Sequence, residues 1–245
     1  MSTQEKKGTC RIGTSGYQYD HWRNVFYPED LPKKEWFSFY AQRFDTVEIN
    51  NTFYNLPKAE TFDNWKKAAP EGFRYVLKFS RYGSHIKRLK DPEASIGQFM
   101  DRARHLGDTL AAVLVQVPPK WKPAPDRLAA FFAAAPSDTR WAFEVRDPRW
   151  LTDDIFNILR DNNVALCIHD IIPDHPHVTT ADWVYLRFHG DHYAGSYSDE
   201  ELSGTAATIK EHLAEGRDVM TFFNNDAEGY AAKNAATLKD MVRAG

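Results

Sequence analysis

Eight short β-like runs, all but one followed by a segment of helical periodicity before the next, are what most narrows the choice of fold. The runs are Arg11–Ser15, Thr46–Asn50, Arg74–Phe79, Ala111–Val117, Arg140–Val145, Ala165–His169, Trp183–Phe188 and Asp218–Phe223. Helical character falls at Trp36–Phe44, Ala59–Ala69, Ser95–Leu106, Asp126–Ala134, Thr152–Asn162, Asp199–Ala214 and Asp226–Val242. Ser95, Asp126, Thr152 and Asp226 stand where N-caps belong. Strand–helix alternation means parallel strands with helices packed outside. Eight units in 245 residues are what a closed barrel needs, since (β/α)8 barrels take about 250 residues. An open dinucleotide-binding sheet would carry GxGxxG after its first strand, and Gly13-Thr14-Ser15-Gly16 is not that motif. The fold class is therefore α/β, a single TIM-like (β/α)8 barrel over residues 10–245 behind a flexible tail over residues 1–9. Between the sixth and seventh runs, Ile171 to His177 holds Pro173 and Pro176, so an irregular connection is expected there in place of a helix. The Pro118–Pro125 segment contains Trp121 and reads as an ordered loop.

Composition bounds the environment. The longest unbroken apolar run, Leu128–Ala135, is eight residues, and a membrane span needs about 20. Met1–Gly8 is polar, with no apolar core of a secretory signal. Cys10 and Cys167 lie far apart and match no metal or redox spacing. These features predict a cytoplasmic protein with reduced thiols and no membrane partner.

Alternate side chains of a barrel strand face inward. If the apolar residues pack under the helices, Glu48 and Asn50 point inward from the second run and Lys78 from the third. Gln116 is the lone polar residue near the end of the fourth run. Glu144 and Arg146 turn in at the fifth, His169 ends the sixth, and Tyr185, Arg187 and His189 face in at the seventh. The eighth ends in Asn224-Asn225-Asp226. Burying unpaired charge costs several kcal/mol, so such residues must pair with one another or bind something. Barrel active sites sit at this C-terminal rim. Glu48, Lys78, Glu144 and His189 are the candidate catalytic residues. Asn50, Tyr54, Gln116, Arg146, His169, Arg187, Asn224 and Asn225 are the candidate substrate contacts.

The same residues resemble a known family. Val47-Glu48-Ile49-Asn50-Asn51-Thr52-Phe53-Tyr54 with Pro57, Trp65, Pro70 and Phe73 is similar to the signature of the YecE-like family, domain of unknown function 72. So are Ile12-Gly13-Thr14-Ser15-Gly16-Tyr17 with Trp22 and Tyr27-Pro28, Lys78, Phe143-Glu144-Val145-Arg146 with Trp150, Arg187-Phe188-His189-Gly190 and Phe223-Asn224-Asn225-Asp226. The resemblance runs from about Arg11 to Val242 and implies a TIM-like barrel more firmly than an activity. It also implies a distant likeness to endonuclease IV and xylose-isomerase-like barrels. Where the family usually carries Thr-His after the third strand, this chain has Ser84-His85.

In the inward set, two carboxylates face three cations, leaving one positive charge in excess. That favours an anionic small-molecule ligand, phosphorylated or carboxylated, held by arginine and by the loops after the last two strands. Glu48 or Glu144 could act as a base, and Lys78 as a base or a Schiff-base amine if its pKa is depressed. Glu48, Glu144, His169, Asp170 and His189 are metal-ligating types, but Lys78, Arg146 and Arg187 in the same layer repel a cation, so no metal or other cofactor is expected. Tyr17, Tyr19, Trp22, Phe53, Tyr54, Tyr193 and Tyr197 fall in rim loops, where they pack loops or stack on a base or sugar. Two alternatives stand beside the enzyme reading. One is a nucleic-acid-processing or nucleic-acid-binding barrel, which the net charge of −3 disfavours. The other is a non-catalytic binding protein whose polar layer is structural.

Overall fold

In a computed structural model of the chain, the described residues are 7–190, 193 and 195–244. Among them, eight parallel strands follow one another: β1 (Cys10–Thr14), β2 (Thr46–Ile49), β3 (Arg74–Lys78), β4 (Leu110–Gln116), β5 (Trp141–Glu144), β6 (Ala165–His169), β7 (Trp183–Phe188) and β8 (Asp218–Phe223). They are hydrogen-bonded in the order β1-β8-β7-β6-β5-β4-β3-β2. Helices α1 (Trp36–Ala41), α2 (Asn51–Tyr54), α3 (Ala59–Ala68), α4 (Pro92–Ala103), α5 (Pro125–Ala134), α6 (Asp153–Asp161), α7 (Asp199–Ala214) and α8 (Tyr230–Arg243) lie between and after them. The TIM-like barrel is thus present, each strand lying within one or two residues of its expected run. None of the helices is long and apolar enough to cross a membrane.

The ring closes at β1 and β2 through a single parallel bridge, Ser15 to Glu48. Elsewhere along this seam the Tyr40 hydroxyl of α1 substitutes for a ladder bond. It accepts from Thr14 N at 3.0 Å and donates to Thr46 O at 2.9 Å. Gly13 is required there, because a Cβ would stand 2.3 Å from Thr46 O.

Two faces of each strand build two cores. Outward residues such as Val47, Leu77, Val113, Phe143, Leu186 and Phe223 join the large cluster under the helices. Inward residues Val76, Ala112, Leu114, Ala142, Ala165, Cys167, Trp183, Tyr185, Met220 and Phe222 fill the barrel. This double burial explains why the strands read as near-continuous apolar runs. The inward phase places the polar residues in a layer above the apolar plug, at the strands' C-terminal ends.

The crossover from β6 to β7 is irregular, as expected, with Asp174 at φ +53°. Thr180 straps it to the strand: its hydroxyl accepts from Leu166 N at 2.8 Å and donates to Val164 O at 2.6 Å. Trp121 of the Pro-rich loop is buried on Trp150, ring centroids 4.9 Å apart. Both cysteines are free thiols. The expected tail over residues 1–9 lies mostly outside the described residues. In its described part Gly8 N donates to Leu213 O at 3.0 Å and Thr9 N to Asp218 Oδ1 at 2.8 Å.

The caps require correction. Helix α4 begins at Pro92 after Asp91, so Ser95 lies inside it with its hydroxyl on Pro92 O. Helix α5 begins at Pro125, with Asp126 in its first turn. Thr152 occupies the N-cap of α6 but makes no side-chain capping bond. Asp226 is not the cap of α8. That position is Gly229, at φ +74°, and the Asp226 carboxylate instead lies 3.3 Å from His21. Helices α4 and α5 open on a proline first turn and α8 on a left-handed glycine, instead of the expected side-chain caps.

Candidate functional site

The polar layer is organised around Arg187, which β7 carries into the barrel with its side chain buried. Nη2 donates to Glu48 Oε1 at 2.6 Å and lies 3.4 Å from Ser15 Oγ; Nη1 pairs with Glu144 Oε2. Glu48 receives a second bond, from the Tyr185 hydroxyl at 2.5 Å. The Glu144 Oε1 atom pairs with Arg146 Nε. Both carboxylates are wholly buried, and each is engaged through both oxygens. Burial would raise the Glu144 carboxyl, but Arg146 and Arg187 hold it well below the usual carboxylate range. Arg187 is opposed by burial too, yet Glu144 and Glu48 push its pKa further up. The net result is a set of fixed charges, because breaking a buried pair leaves an uncompensated ion.

The second group faces the mouth. Arg146 sends Nη2 to Gln116 Oε1 at 3.5 Å and toward His189 Nε2 at 3.2 Å, while Nη1 donates to the Tyr193 hydroxyl at 2.9 Å. His189 has its Nδ1 3.1 Å from Asp170 Oδ1, and Arg187 Nη1 lies 3.3 Å from its Nε2. Both guanidiniums can only donate, so Nε2 must accept. His189 is therefore the neutral tautomer with its proton on Nδ1, and burial lowers its pKa. Asp170 also accepts from the backbone N–H groups of His189 and Gly190 and from the Tyr197 hydroxyl. Burial alone would raise Asp170, but these bonds, led by the His189 side chain, bring it down to about 2.

His169 is held differently. Its Nε2 donates to Val145 O at 2.8 Å and its Nδ1 accepts from Ile171 N at 3.2 Å. Burial takes its pKa down to about 4. With both nitrogens on backbone, it braces the β5 and β6 ends and has no nitrogen left for a ligand.

Lys78 is the exception in the layer. It is 9% exposed, and among the described residues its amine has no carboxylate within ion-pair distance. Nζ lies over the Phe53 ring, 4.5 Å from the centroid. Burial first, then Arg187, push its pKa down to about 8, against the pull of Glu144 and Glu48. Its backbone is fixed by Thr52, whose hydroxyl donates to Lys78 O at 2.7 Å.

The remaining expected contacts divide. Asn50 donates to Ser15 O at 3.4 Å while its Oδ1 is buried without a partner among the described residues. Tyr54 is exposed on the rim. Asn224 joins β7 through a backbone bond to Phe188 O at 2.7 Å. Asn225 is buried, with Nδ2 donating to Gly195 O and Asn234 Oδ1, so it braces the loop after β7. His85, beside Lys78, packs edge-on against Phe53 at 4.9 Å and meets the Ser84 hydroxyl through Nδ1 at 3.0 Å. Among the described residues, no three His, Cys, Asp or Glu side chains converge in a group that could hold a metal ion.

Besides Asp170, named from sequence only as a metal-ligating type, the contributors outside the catalytic and contact set are Ser15, Tyr185, Tyr193 and Tyr197. Period-two alternation from Gly13 places Ser15 inward, and Asp170 directly follows the strand-ending His169. Tyr185, read as inward, turns out to be a ligand of Glu48.

Known proteins share both sequence and shape. The profile of the family described as "Protein of unknown function DUF72" matches residues 11–245. The chain is 30% identical over 112 residues to UPF0759 protein YecE of Escherichia coli K12, an alignment spanning 45% of this chain and 41% of that protein. A DUF72 family protein of Thermotoga maritima superposes with a TM-score of 0.87 at 27% identity, covering 96% of this chain and 99% of the other. D-psicose 3-epimerase of Clostridium cellulolyticum H10 superposes with a TM-score of 0.57 at 12% identity, covering 96% and 98%. At that identity the likeness is one of fold.

Proposed function

The chain belongs to the DUF72 family of uncharacterised proteins, and we propose that it is an enzyme that binds an anionic small molecule at the C-terminal rim of its barrel and moves a proton with Lys78. The observation that carries this is Lys78 itself: an amine in the barrel mouth, without a carboxylate partner among the described residues, with its pKa pushed down to about 8. A lysine so placed is partly unprotonated near neutral pH and can serve as base or nucleophile.

The roles expected from sequence are redistributed. Glu48 and Glu144 are positioning residues, since Arg187, Arg146 and Tyr185 occupy their oxygens. Their charge holds the two guanidiniums in place. Arg146 offers the ligand a guanidinium edge and Gln116 an amide, while His189, its Nε2 accepting from Arg146 and Arg187 and its Nδ1 facing Asp170, positions the two guanidiniums. With Asp170 ionised, three carboxylates balance Lys78, Arg146 and Arg187, so a phosphate or carboxylate is drawn by the local donors Arg146 and Lys78 and not by a net charge. Chemistry adjacent to a carbonyl fits Lys78 alone: the free amine removes a proton from carbon and, as the ammonium it then becomes, returns that proton to the substrate.

The test is isothermal titration with phosphorylated and carboxylated metabolites, followed by proton exchange of each binder in D2O by NMR. Wild type should bind at least one anion. Lys78→Met should abolish exchange while retaining part of the binding, and Arg146→Met should lose the binding. If Lys78→Met exchanges protons at the wild-type rate, the assignment fails.

A further inference from the structure

Beside Lys78, a cavity of about 520 Å³ opens between α2 and the segment after β3, lined by Phe53, Tyr54, Asn55, Ser80, Tyr82 and Gln98 among others. Its aromatic walls are left bare: Tyr54 is 76% exposed and Tyr82 48%. Phe53 separates the cavity from the cup, with its ring 4.5 Å from Lys78 Nζ and 5.0 Å from the Tyr54 ring. Hydroxyl and amide groups from Ser80, Asn55 and Gln98 supply polar contacts along the same walls.

The backbone that carries the far wall is unusual. Tyr82–Ile86 is a π-helical turn, and Arg88, Leu89 and Asp91 follow with φ of +49°, +61° and +48°. Single π turns are frequent at functional sites, and non-glycine residues in the left-handed region persist only where the surroundings impose them. Here that backbone holds Tyr82 open to solvent and His85 against Phe53.

We infer that this groove is a second subsite for a flat ring joined to the anionic group in the cup, so that the ligand is of the nucleoside-monophosphate class. The inference rests on the anion-cup reading above and adds the ring. Tyr54 and Tyr82 are exposed, with Lys87 Nζ 5.8 Å over the Tyr82 ring, every nucleobase has a π face that stacks on an aromatic side chain, and the Asn55 and Gln98 amides line the same groove. The groove adjoins the cup across one ring, which suits a mononucleotide better than a free anion.

The experiment is calorimetric titration of the full chain with inorganic phosphate, ribose 5-phosphate, adenosine, purine and pyrimidine 5′-monophosphates, and a single-stranded decanucleotide. The best mononucleotide should bind at least about tenfold tighter than ribose 5-phosphate. Tyr54→Ala and Tyr82→Ala should each reduce that advantage about tenfold while leaving ribose 5-phosphate affinity unchanged, and Tyr54→Phe should keep it. Tyr54 is largely exposed, so its replacement leaves the packed core intact, which far-UV circular dichroism checks. Equal binding of ribose 5-phosphate and every mononucleotide, or an advantage that survives both alanine variants, overturns the ring subsite alone. Adenosine binding with no binding of ribose 5-phosphate or phosphate sinks the cup and keeps the groove. Binding of neither adenosine nor any phosphate overturns both, and binding of the decanucleotide alone, with a steep salt slope, transfers the surface to nucleic acid and overturns the small-molecule assignment.

Discussion

Arg187 on β7 donates to Glu48 on β2 at 2.6 Å, spanning the barrel interior between residues 139 positions apart in the chain. Each is buried, and each takes its other partners from the same layer. Removing one member strands the others as uncompensated ions, which costs about 3–5 kcal/mol. Arg187→Met is therefore expected to lower the unfolding free energy by that amount, read as a lower urea midpoint at unchanged m-value. Glu48→Gln should be nearly as severe, and the double variant should fall well short of the sum of the two. Additive losses would mean that the pair is not a unit.

The β1–β2 seam predicts a second stability effect. Tyr40→Phe deletes the hydroxyl that stands between Thr14 N and Thr46 O, leaving a buried donor and acceptor unpaired. The expected loss is about 1–3 kcal/mol. Amide hydrogen exchange should show it locally, with Thr14 losing protection more than the β7 and β8 amides. A uniform change across the barrel would instead mark a global packing defect.

These two residues also show what was legible in the sequence. Alternation and the strand–helix count carried the barrel, its irregular crossover and the inward phase of Glu48, Lys78, Glu144 and Arg187, because period and burial are local properties. Partners were not legible. Glu48 and Glu144 read as bases from their residue type, yet what they do depends on guanidiniums and a phenol brought from distant strands. Tyr40 looked like one more apolar residue on a helical face, and only the ring's closure shows its hydroxyl in the seam. Asn225 read as a ligand contact because it ends a strand, whereas its Nδ2 is taken up by Gly195 O and Asn234 Oδ1. Helix starts misled for a related reason: Ser95 and Asp126 are good caps in isolation, but upstream prolines begin those helices earlier.

The two central histidines should show opposite tautomers. His189 carries its proton on Nδ1, facing Asp170, and His169 on Nε2, facing Val145 O. Long-range proton–nitrogen NMR spectra at pH 7 should resolve both as neutral rings, His169 gaining charge only near its pKa of about 4. Asp170→Asn should scramble the His189 tautomer and leave His169 unchanged. It should also alter acid stability in a defined window. The Asp170 pKa falls from 3.8 to about 2 on folding, so its contribution is complete above pH 4 and disappears as pH drops toward 2. Wild type and variant should therefore converge in stability at the acid end.

Lys78 provides the last prediction, in the opposite pH range. Its pKa falls from 10.5 to about 8 on folding. Between those values the unfolded chain keeps a proton that the folded chain has released. The unfolded state then binds more protons, and stability from this group rises with pH across that interval. Replacing the amine by an apolar chain removes the dependence, so the advantage of Lys78→Met over wild type should be largest below pH 8 and shrink toward pH 10. Reactivity gives an independent reading, because only the unprotonated amine is acylated. Acetic anhydride labelling followed by peptide mass spectrometry should give Lys78 a midpoint near 8, against added unstructured lysine peptides as references, whose amines label at about 10.4. A Lys78 midpoint equal to theirs would remove the basis for proton transfer by this residue.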